Sequence, residues 1–333
     1  MRTFSRAVLA ALAVLIFTPI FVSPSFADVA AGDVLVADLG NCTTQDLCEP
    51  GTGTIRRYSA LGGNLGVFAG GPGFPLSAPW SITADQLGNI YVSERDGQRV
   101  TKFSPAGDPL VMITTHFIPG GVRVGTDGMI YVVDSSGGKI NRYSASGILD
   151  SQFAQTTALV SADFMTFDAQ GNLYVTGTDS VLGEVVRRFS PTGATPVDFV
   201  TGFSAPTGIA FDAPGNFYVA SFTSNIVEQY SPSGTDLKTF AVGDPSNDSF
   251  RGIAFDASGN LYVASSAGGN ILRFSPAGVA APPFATDLSF PWDLVIVPMP
   301  ANPTIKTECK EEGWLSFDFR NQGDCIQFVN TGK

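Results

Sequence analysis

The chain has 333 residues, of which 44% are hydrophobic and 15% charged, with 37 glycines and 22 prolines. This composition excludes a disordered or collagen-like chain, and its turn residues and abundant Phe, Val and Ile favour an all-β protein. The formal net charge of −11 argues against a nucleic-acid or anionic-membrane partner, and the single histidine excludes a metal site with several imidazoles from this chain.

Residues 1–27 have the pattern of a secretory signal peptide. Arg2 and Arg6 precede the apolar run 7–22, and a small-residue cleavage site ends at Ala27. At about 16 residues the run is short for a membrane-spanning helix, although an uncleaved anchor is the alternative. Cleavage predicts a secreted or periplasmic protein with no membrane span, whose net charge becomes −13 once the two arginines are removed.

The four cysteines form two local pairs, Cys42 with Cys48 and Cys309 with Cys325. An exported protein meets an oxidising environment, which permits disulfides. Four cysteines allow three connectivities, and we predict the local one because each pair sits in its own segment. Metal binding is the weaker interpretation, since neither pair has the C-x-x-C spacing typical of zinc sites.

A short motif, G-N-hydrophobic-Tyr-Val, recurs along the body of the chain. Residues 128–132 are a variant copy with Met in place of Asn. The tyrosines of the five copies are separated by 40, 43, 44 and 44 residues, at Tyr91, Tyr131, Tyr174, Tyr218 and Tyr262. A degenerate first copy at residues 32–36 precedes the second copy by about a dozen residues more than the repeat length. The extra residues correspond to the segment that contains Cys42 and Cys48. We therefore predict that this segment is an inserted loop and that the two cysteines join its ends.

Each complete repeat predicts four short strands. In one unit the strands are residues 208–212, 217–221, 226–230 and 237–241, separated by turns rich in Gly, Asn, Ser and Pro. Four strands every 40 to 44 residues are typical of one blade of a β-propeller.

These motifs resemble the NHL-repeat family of six-bladed β-propellers over about residues 32–297. The first copy lacks a first strand, whereas residues 292–297 have the pattern of a first strand with no second strand after it. We therefore predict an all-β, six-bladed propeller over residues 28–297. Its C-terminal strand closes the ring by pairing with residues 33–37, which removes two exposed sheet edges.

The composition changes after the propeller. Residues 298–308, with three prolines, predict a stiff linker, and residues 309–333 a tail stapled by Cys309 and Cys325. The tail resembles short cysteine-paired segments at the ends of secreted bacterial proteins. It is too short for its own core, so it is either an inert stapled hairpin or an element for attachment or export.

The first strands of a propeller line its central channel, and ligands enter where they begin. Aligned by the tyrosine motif, the six first strands each place one residue at this rim: Trp292, Trp80, Gly120, Asp163, Thr207 and Arg251. We expect Trp80 and Trp292 to form an apolar platform for a ligand, with Asp163 and Arg251 as polar anchors. In the alternative, each indole packs between blades.

The ends of three successive second strands carry carboxylates, Asp38, Glu94 and Asp134. Oxygen ligands suit Ca²⁺ or Mg²⁺, which makes a metal site one interpretation. The other is that these side chains cap turns by accepting backbone N–H bonds, as the resemblance to NHL repeats implies.

The predicted function is a non-enzymatic binding module for a glycan, a peptide, a small molecule or a protein partner, with no cofactor. A metal-assisted lyase or lactonase is the first alternative. Streptogramin lyases use a His with a Glu, and gluconolactonases a Glu at the rim, but the context of His116 lacks the first pattern and the rim has no Glu. A purely structural envelope protein is the second alternative.

Overall fold

A computed structural model describes residues 28–44, 47–136, 138–155, 159–193 and 196–298. The predicted signal peptide, most of the linker and the tail with Cys309 and Cys325 lie outside the described residues. The described part of the chain consists of strands β1 to β25 joined by turns. None of its segments is a helix long and apolar enough to cross a membrane.

Blades two to five are antiparallel four-stranded sheets whose strands follow one another in chain order. Blade two contains β6 (Pro79–Ala84), β7 (Ile90–Glu94), β8 (Arg99–Phe103) and β9 (Pro109–Thr114). Blade three contains β10 (Pro119–Val124), β11 (Ile130–Asp134), β12 (Lys139–Tyr143) and β13 (Leu149–Gln155). Blade four contains β14 (Leu159–Phe167), β15 (Leu173–Asp179), β16 (Gly183–Phe189) and β17 (Val197–Thr201). Blade five contains β18 (Pro206–Phe211), β19 (Phe217–Ser221), β20 (Ile226–Tyr230) and β21 (Asp236–Val242).

Blades six and one depart from this plan. Blade six contains β22 (Phe250–Phe255), β23 (Leu261–Ser265) and β24 (Asn270–Phe274), and isolated bridges to Ala280 and Ala285 take the place of a fourth strand. Blade one has the order β25-β1-β4-β5, formed by β25 (Pro291–Ile296), β1 (Val34–Asp38), β4 (Thr54–Tyr58) and β5 (Asn64–Gly70). The insertion between β1 and β4 forms a small hairpin of β2 (Cys42–Thr44) and β3 (Leu47–Cys48).

The C-terminal strand closes the ring, as the sequence predicts. β25 pairs with β1 in antiparallel register, from Val34 with Ile296 to Ala37 with Asp293. The Asp38 carboxylate adds a tether by accepting hydrogen bonds from the backbone of Ser289 and Phe290, at 3.0 and 2.7 Å. The first strands of neighbouring blades contact each other all the way round, from β25 through β6, β10, β14, β18 and β22 back to β25.

The recurring tyrosine has a hydrogen-bonding role as well as a packing role. Tyr218 is 3% exposed, and its ring packs against Phe255 of the next blade while its hydroxyl donates to Asp212 at 2.9 Å. Asp212 also accepts from the backbone and side chain of Asn216, so each Asp-x-x-Gly-Asn-x-Tyr turn is a closed network. The same network recurs at Asp85, Asp168 and Asp256, which explains why Asn and Tyr repeat together.

Neighbouring blades approach closely beside the channel, where glycines remove the side chain. A Cβ added to Gly252 would lie 2.7 Å from the Cα of Asp293 in blade one, and one added to Gly208 would lie 2.7 Å from the backbone nitrogen of Ile253. These contacts are between backbones, which have little room to move apart in a closed ring.

Candidate functional site

The six predicted rim residues share an irregularity of the backbone. In every first strand the ladder shifts register at this residue, as where Pro79 pairs with Glu94 and Ser81 with Ser93, which leaves Trp80 between them unpaired. The same shift falls at Gly120, Asp163, Thr207, Arg251 and Trp292. A β-bulge re-aims the side chain that it carries, so the bulge sets the direction of the rim residue in each blade.

The two tryptophans lie together, in a packed cluster. Their ring centroids are 4.0 Å apart with the planes inclined by 40°, and Phe290 stacks on Trp292 at 6.0 Å. Trp80 is 5% exposed and Trp292 only 1%, with Leu39 and Phe164 in the same cluster. The sequence placed the indoles correctly side by side, but the structure buries them, as in the packing alternative. Their role as a ligand platform stays a prediction.

Two guanidinium groups cover these aromatic rings. Arg251 lies between Phe222 and Trp292, with its Cζ 3.7 and 3.8 Å from the two ring centroids, and the Cζ of Arg95 lies 4.7 Å from that of Trp80. Such cation–π contacts stabilise a desolvated guanidinium. Burial lowers the pKa of Arg251 to about 9, against the opposing effect of Asp163, and the group stays charged at neutral pH. Sequence reasoning missed Arg95 and Phe222, which lie outside the first strands.

Asp163 completes the group of four predicted residues. Its carboxylate feels the charges of Arg95 and Arg251, but no residue of the described chain donates a hydrogen bond to it. Burial raises the pKa of Asp163, and the two arginines partly offset that shift. Asp163 is therefore a partly exposed carboxylate that lies close to two positive groups.

The two indole N–H groups of the cluster are donors that lack an acceptor. Both Nε1 atoms, of Trp80 and of Trp292, are buried, and neither has a hydrogen-bond partner in the part of the chain that the structure describes. A buried donor left unpaired costs about 1–3 kcal/mol, so native proteins seldom keep two in one cluster without a reason. The candidate site thus contains two buried donors without partners and one partly exposed acceptor.

The predicted bridge between Cys42 and Cys48 is present. It joins the two strands of the β2–β3 hairpin, and both cysteines pack against the tryptophan cluster. The inserted loop of blade one is thereby fixed over the aromatic side chains at the mouth.

Replacement of both Cys42 and Cys48 by serine is expected to destabilise the propeller only modestly. The bridge spans six residues in sequence, and closing so short a loop restricts the unfolded chain by about 2 kcal/mol. Urea unfolding followed by circular dichroism measures the difference. A decrease in the free energy of unfolding above about 4 kcal/mol would mean that the ring of blades depends on this hairpin for its stability.

The three carboxylates at the second-strand ends do not fit a metal site. Glu94 is fully buried and accepts two hydrogen bonds from Arg99, both 2.7 Å, and another from the backbone of Ser77. Asp38 accepts the backbone bonds already described, and Asp134 accepts from the backbone and hydroxyl of Ser136. Within the described ranges no three His, Cys, Asp or Glu side chains are grouped so as to hold a metal ion. Each carboxylate has protein partners of its own, as the capping interpretation requires.

His116 lies in the turn between β9 and β10, exposed and with a backbone φ of 60°. The structure places it in a turn conformation and not among the side chains of the tryptophan cluster.

The closed ring of five four-stranded sheets and one three-stranded sheet defines the chain as a six-bladed β-propeller. No model of a known protein family matches it. Its repeats are similar to those of the human (Homo sapiens) NHL-repeat-containing protein 4, with 27% identity over 92 residues, which cover 27% of this chain and 75% of that protein.

Several solved structures share the fold. A chain of the nidogen/laminin complex superposes with a TM-score of 0.67 at 17% identity, covering 80% of this chain and 98% of that one. The gluconolactonase XC5397 of Xanthomonas campestris gives 0.56 at 17% identity, covering 82% and 91%. Virginiamycin B lyase of Staphylococcus aureus gives 0.52 at 17% identity, covering 67% and 78%. At such identities these likenesses concern the fold alone.

Proposed function

We propose that this propeller is an exported, non-enzymatic binding module that takes a hydroxyl-rich ligand, such as a glycan, at its channel mouth. The observation that carries the proposal is the pair of unpaired indole donors beside the partly exposed carboxylate of Asp163. A hydroxyl group both accepts and donates hydrogen bonds, so neighbouring hydroxyls can accept from the indole donors and donate to the Asp163 carboxylate. The aromatic rings offer an apolar face to a sugar ring.

Binding at this site requires the cluster to rearrange. Because both indole nitrogens are buried, a ligand reaches them only after neighbouring side chains move, and such a step slows association. Asp163 is the partly exposed member of the group and is therefore the first contact. The predicted signal peptide and the Cys42–Cys48 bridge support an extracytoplasmic location, where glycans are available.

The rival functions rest on weaker support. Gluconolactonases and virginiamycin B lyases share the propeller, but propellers host unrelated functions, and the carboxylates at the second-strand ends are engaged by protein groups. A purely structural envelope role leaves the unpaired polar groups of the mouth unexplained.

Trp80→Phe and Trp292→Phe are expected to weaken ligand binding about 5- to 30-fold each while the melting temperature stays unchanged or rises slightly. Phenylalanine keeps an aromatic ring in the cluster but removes the N–H group, whose desolvation is uncompensated in the free protein. A glycan array identifies the ligand, and titration calorimetry with the best hit measures the loss. Trp314→Phe, in the predicted C-terminal tail, is the matched control and should bind as the wild type does.

Three outcomes contradict the proposal. Unchanged affinity in both variants would assign the tryptophans to packing alone. Turnover of a lactone or streptogramin that depends on Ca²⁺ or Mg²⁺ would favour the enzyme, and failure to bind any member of a glycan and a peptide panel would favour the structural role.

A further inference from the structure

A cavity of about 230 Å³ lies at the opposite end of the channel from the tryptophan cluster. All six blades contribute to it through the later residues of their first strands, such as Thr83 of β6, Thr166 of β14 and Ile296 of β25. The cavity is therefore coaxial with the propeller and separate from the mouth where the rim residues lie.

The side chains around this cavity divide by blade. Blades two to four provide all of its polar side chains, Thr83, Arg123 and Thr166. Every residue contributed by blades five, six and one is apolar, including Phe211 and Phe255. Because blades two to four form one half of the ring, the cavity has a polar side facing an apolar side.

Arg123 is held in place by only one of its three side-chain nitrogens. Nη1 donates to the Ser81 hydroxyl at 2.9 Å and to the backbone oxygens of Val122 and Ile82 at 2.8 and 3.2 Å, and it lies 3.5 Å from Asp293. No group in the described ranges accepts from Nε or Nη2, and the side chain keeps 16% of its surface exposed. These two nitrogens form the planar fork that matches a carboxylate.

Asp293 is the counter-ion of Arg123 and lies 3.5 Å from Nη1 of its guanidinium. It is fully buried and accepts from the Ser81 hydroxyl at 2.8 Å, from the Ile82 nitrogen at 3.1 Å and from the Leu294 nitrogen at 2.9 Å. These donors satisfy the oxygens of Asp293, and Arg123 offsets the charge of this buried carboxylate. The ion pair uses Nη1 alone, which leaves Nε and Nη2 for a ligand in the cavity that Arg123 lines.

We propose that this cavity binds a small monocarboxylic acid with a hydrocarbon body. The carboxylate pairs with Nε and Nη2 of Arg123 and accepts from the hydroxyls of Thr83 and Thr166, while the hydrocarbon packs on the side formed by Phe211 and Phe255. An engineered apolar cavity of about 150 Å³ holds benzene, so 230 Å³ accommodates a six-carbon body together with a carboxylate.

The direct test is calorimetric titration of the intact protein with hexanoate, 3-phenylpropanoate and hexanamide. We expect saturable 1:1 binding of at least one acid with a Kd of about 1 mM or tighter, and binding of the amide at least about tenfold weaker. Absence of saturable acid binding, or equal affinity for acid and amide, would overturn the proposal.

Two variants locate the site. Arg123→Lys keeps the charge but loses the fork, and Ala254→Leu narrows the apolar side; each should weaken acid binding about tenfold or more. Arg142→Lys, on β12 and paired with Asp150 away from the cavity, is the matched control and should leave the acid affinity unchanged. Melting curves establish folding; if one cavity variant fails to fold, the other decides. Loss of acid binding in Arg142→Lys, or its retention in the folded cavity variants, would refute this location.

Discussion

Deletion of residues 291–333 is expected to abolish cooperative folding of the propeller and to cause aggregation. This deletion removes β25, which completes blade one by pairing with β1 and which contacts β6 and β22 on either side in the ring of first strands. The remaining chain exposes the edge of β1, whose residues are fully buried in the intact molecule, and an unpaired apolar edge recruits other chains. Size-exclusion chromatography and thermal unfolding measure both effects.

Deletion of residues 304–333 alone is the control for this experiment. It leaves every described residue in place, so we expect a monodisperse protein whose melting temperature is close to that of the full chain. A soluble fragment 28–290 that melts cooperatively would contradict the conclusion that β25 is needed to close the ring.

Gly252→Ala is expected to destabilise the propeller by about 2–3 kcal/mol. Its new methyl group would lie 2.7 Å from the Cα of Asp293, so blades six and one would have to separate. In a closed ring such a displacement spreads to the other blade interfaces. Urea unfolding followed by intrinsic fluorescence measures the free energy, since two tryptophans lie close to this interface.

Gly73→Ala is the matched control. Gly73 also has a backbone conformation that ordinary residues adopt, but a Cβ there meets no atom within 4 Å. We expect a change close to zero or a slight stabilisation, because alanine restricts the unfolded chain. Equal losses in the two variants would mean that the close approach of blades six and one is not what Gly252 permits.

The repeat motif predicts most of the fold because propeller blades are built from local contacts. Each blade from two to five is a run of consecutive antiparallel strands, so the spacing of Tyr91, Tyr131, Tyr174 and Tyr218 was sufficient to place them. Blade one, which is formed from both ends of the propeller, was predictable for a different reason. The N-terminal repeat lacks a first strand, and the C-terminal segment has the pattern of a first strand with no second strand after it, so the two segments complete one blade.

The candidate site was predictable in position but not in environment. Alignment of the repeats identified Trp80, Trp292, Asp163 and Arg251 as equivalent, and the structure groups them. The alignment could not show that each of these residues lies in a β-bulge. A bulge adds one residue to a strand, and the turn sequences that flank the strand do not reveal that addition. Nor could the alignment show that the indoles are buried, because burial there depends on side chains from elsewhere in the chain, such as Phe164, Phe290 and Arg95.

The cavity at the far end of the channel had no signal in the sequence. Arg123 occurs in a strand without a motif, and its importance comes from the contacts of its Nη1 with residues of blades one and two. Such a site is assembled by the ring as a whole, and a search for motifs along one chain segment does not find it.

The pairing of Val34 with Ile296 also constrains the order in which the molecule is assembled. Blades two to five join strands that are neighbours in sequence and can form as the chain emerges, since local contacts close quickly. Blade one cannot form until β25, the last strand of the propeller, has been synthesised. Until then the edge of β1 that pairs with β25 stays exposed. We therefore expect the slowest folding phase to be the docking of β25, and the half-made ring to be the species most dependent on chaperones.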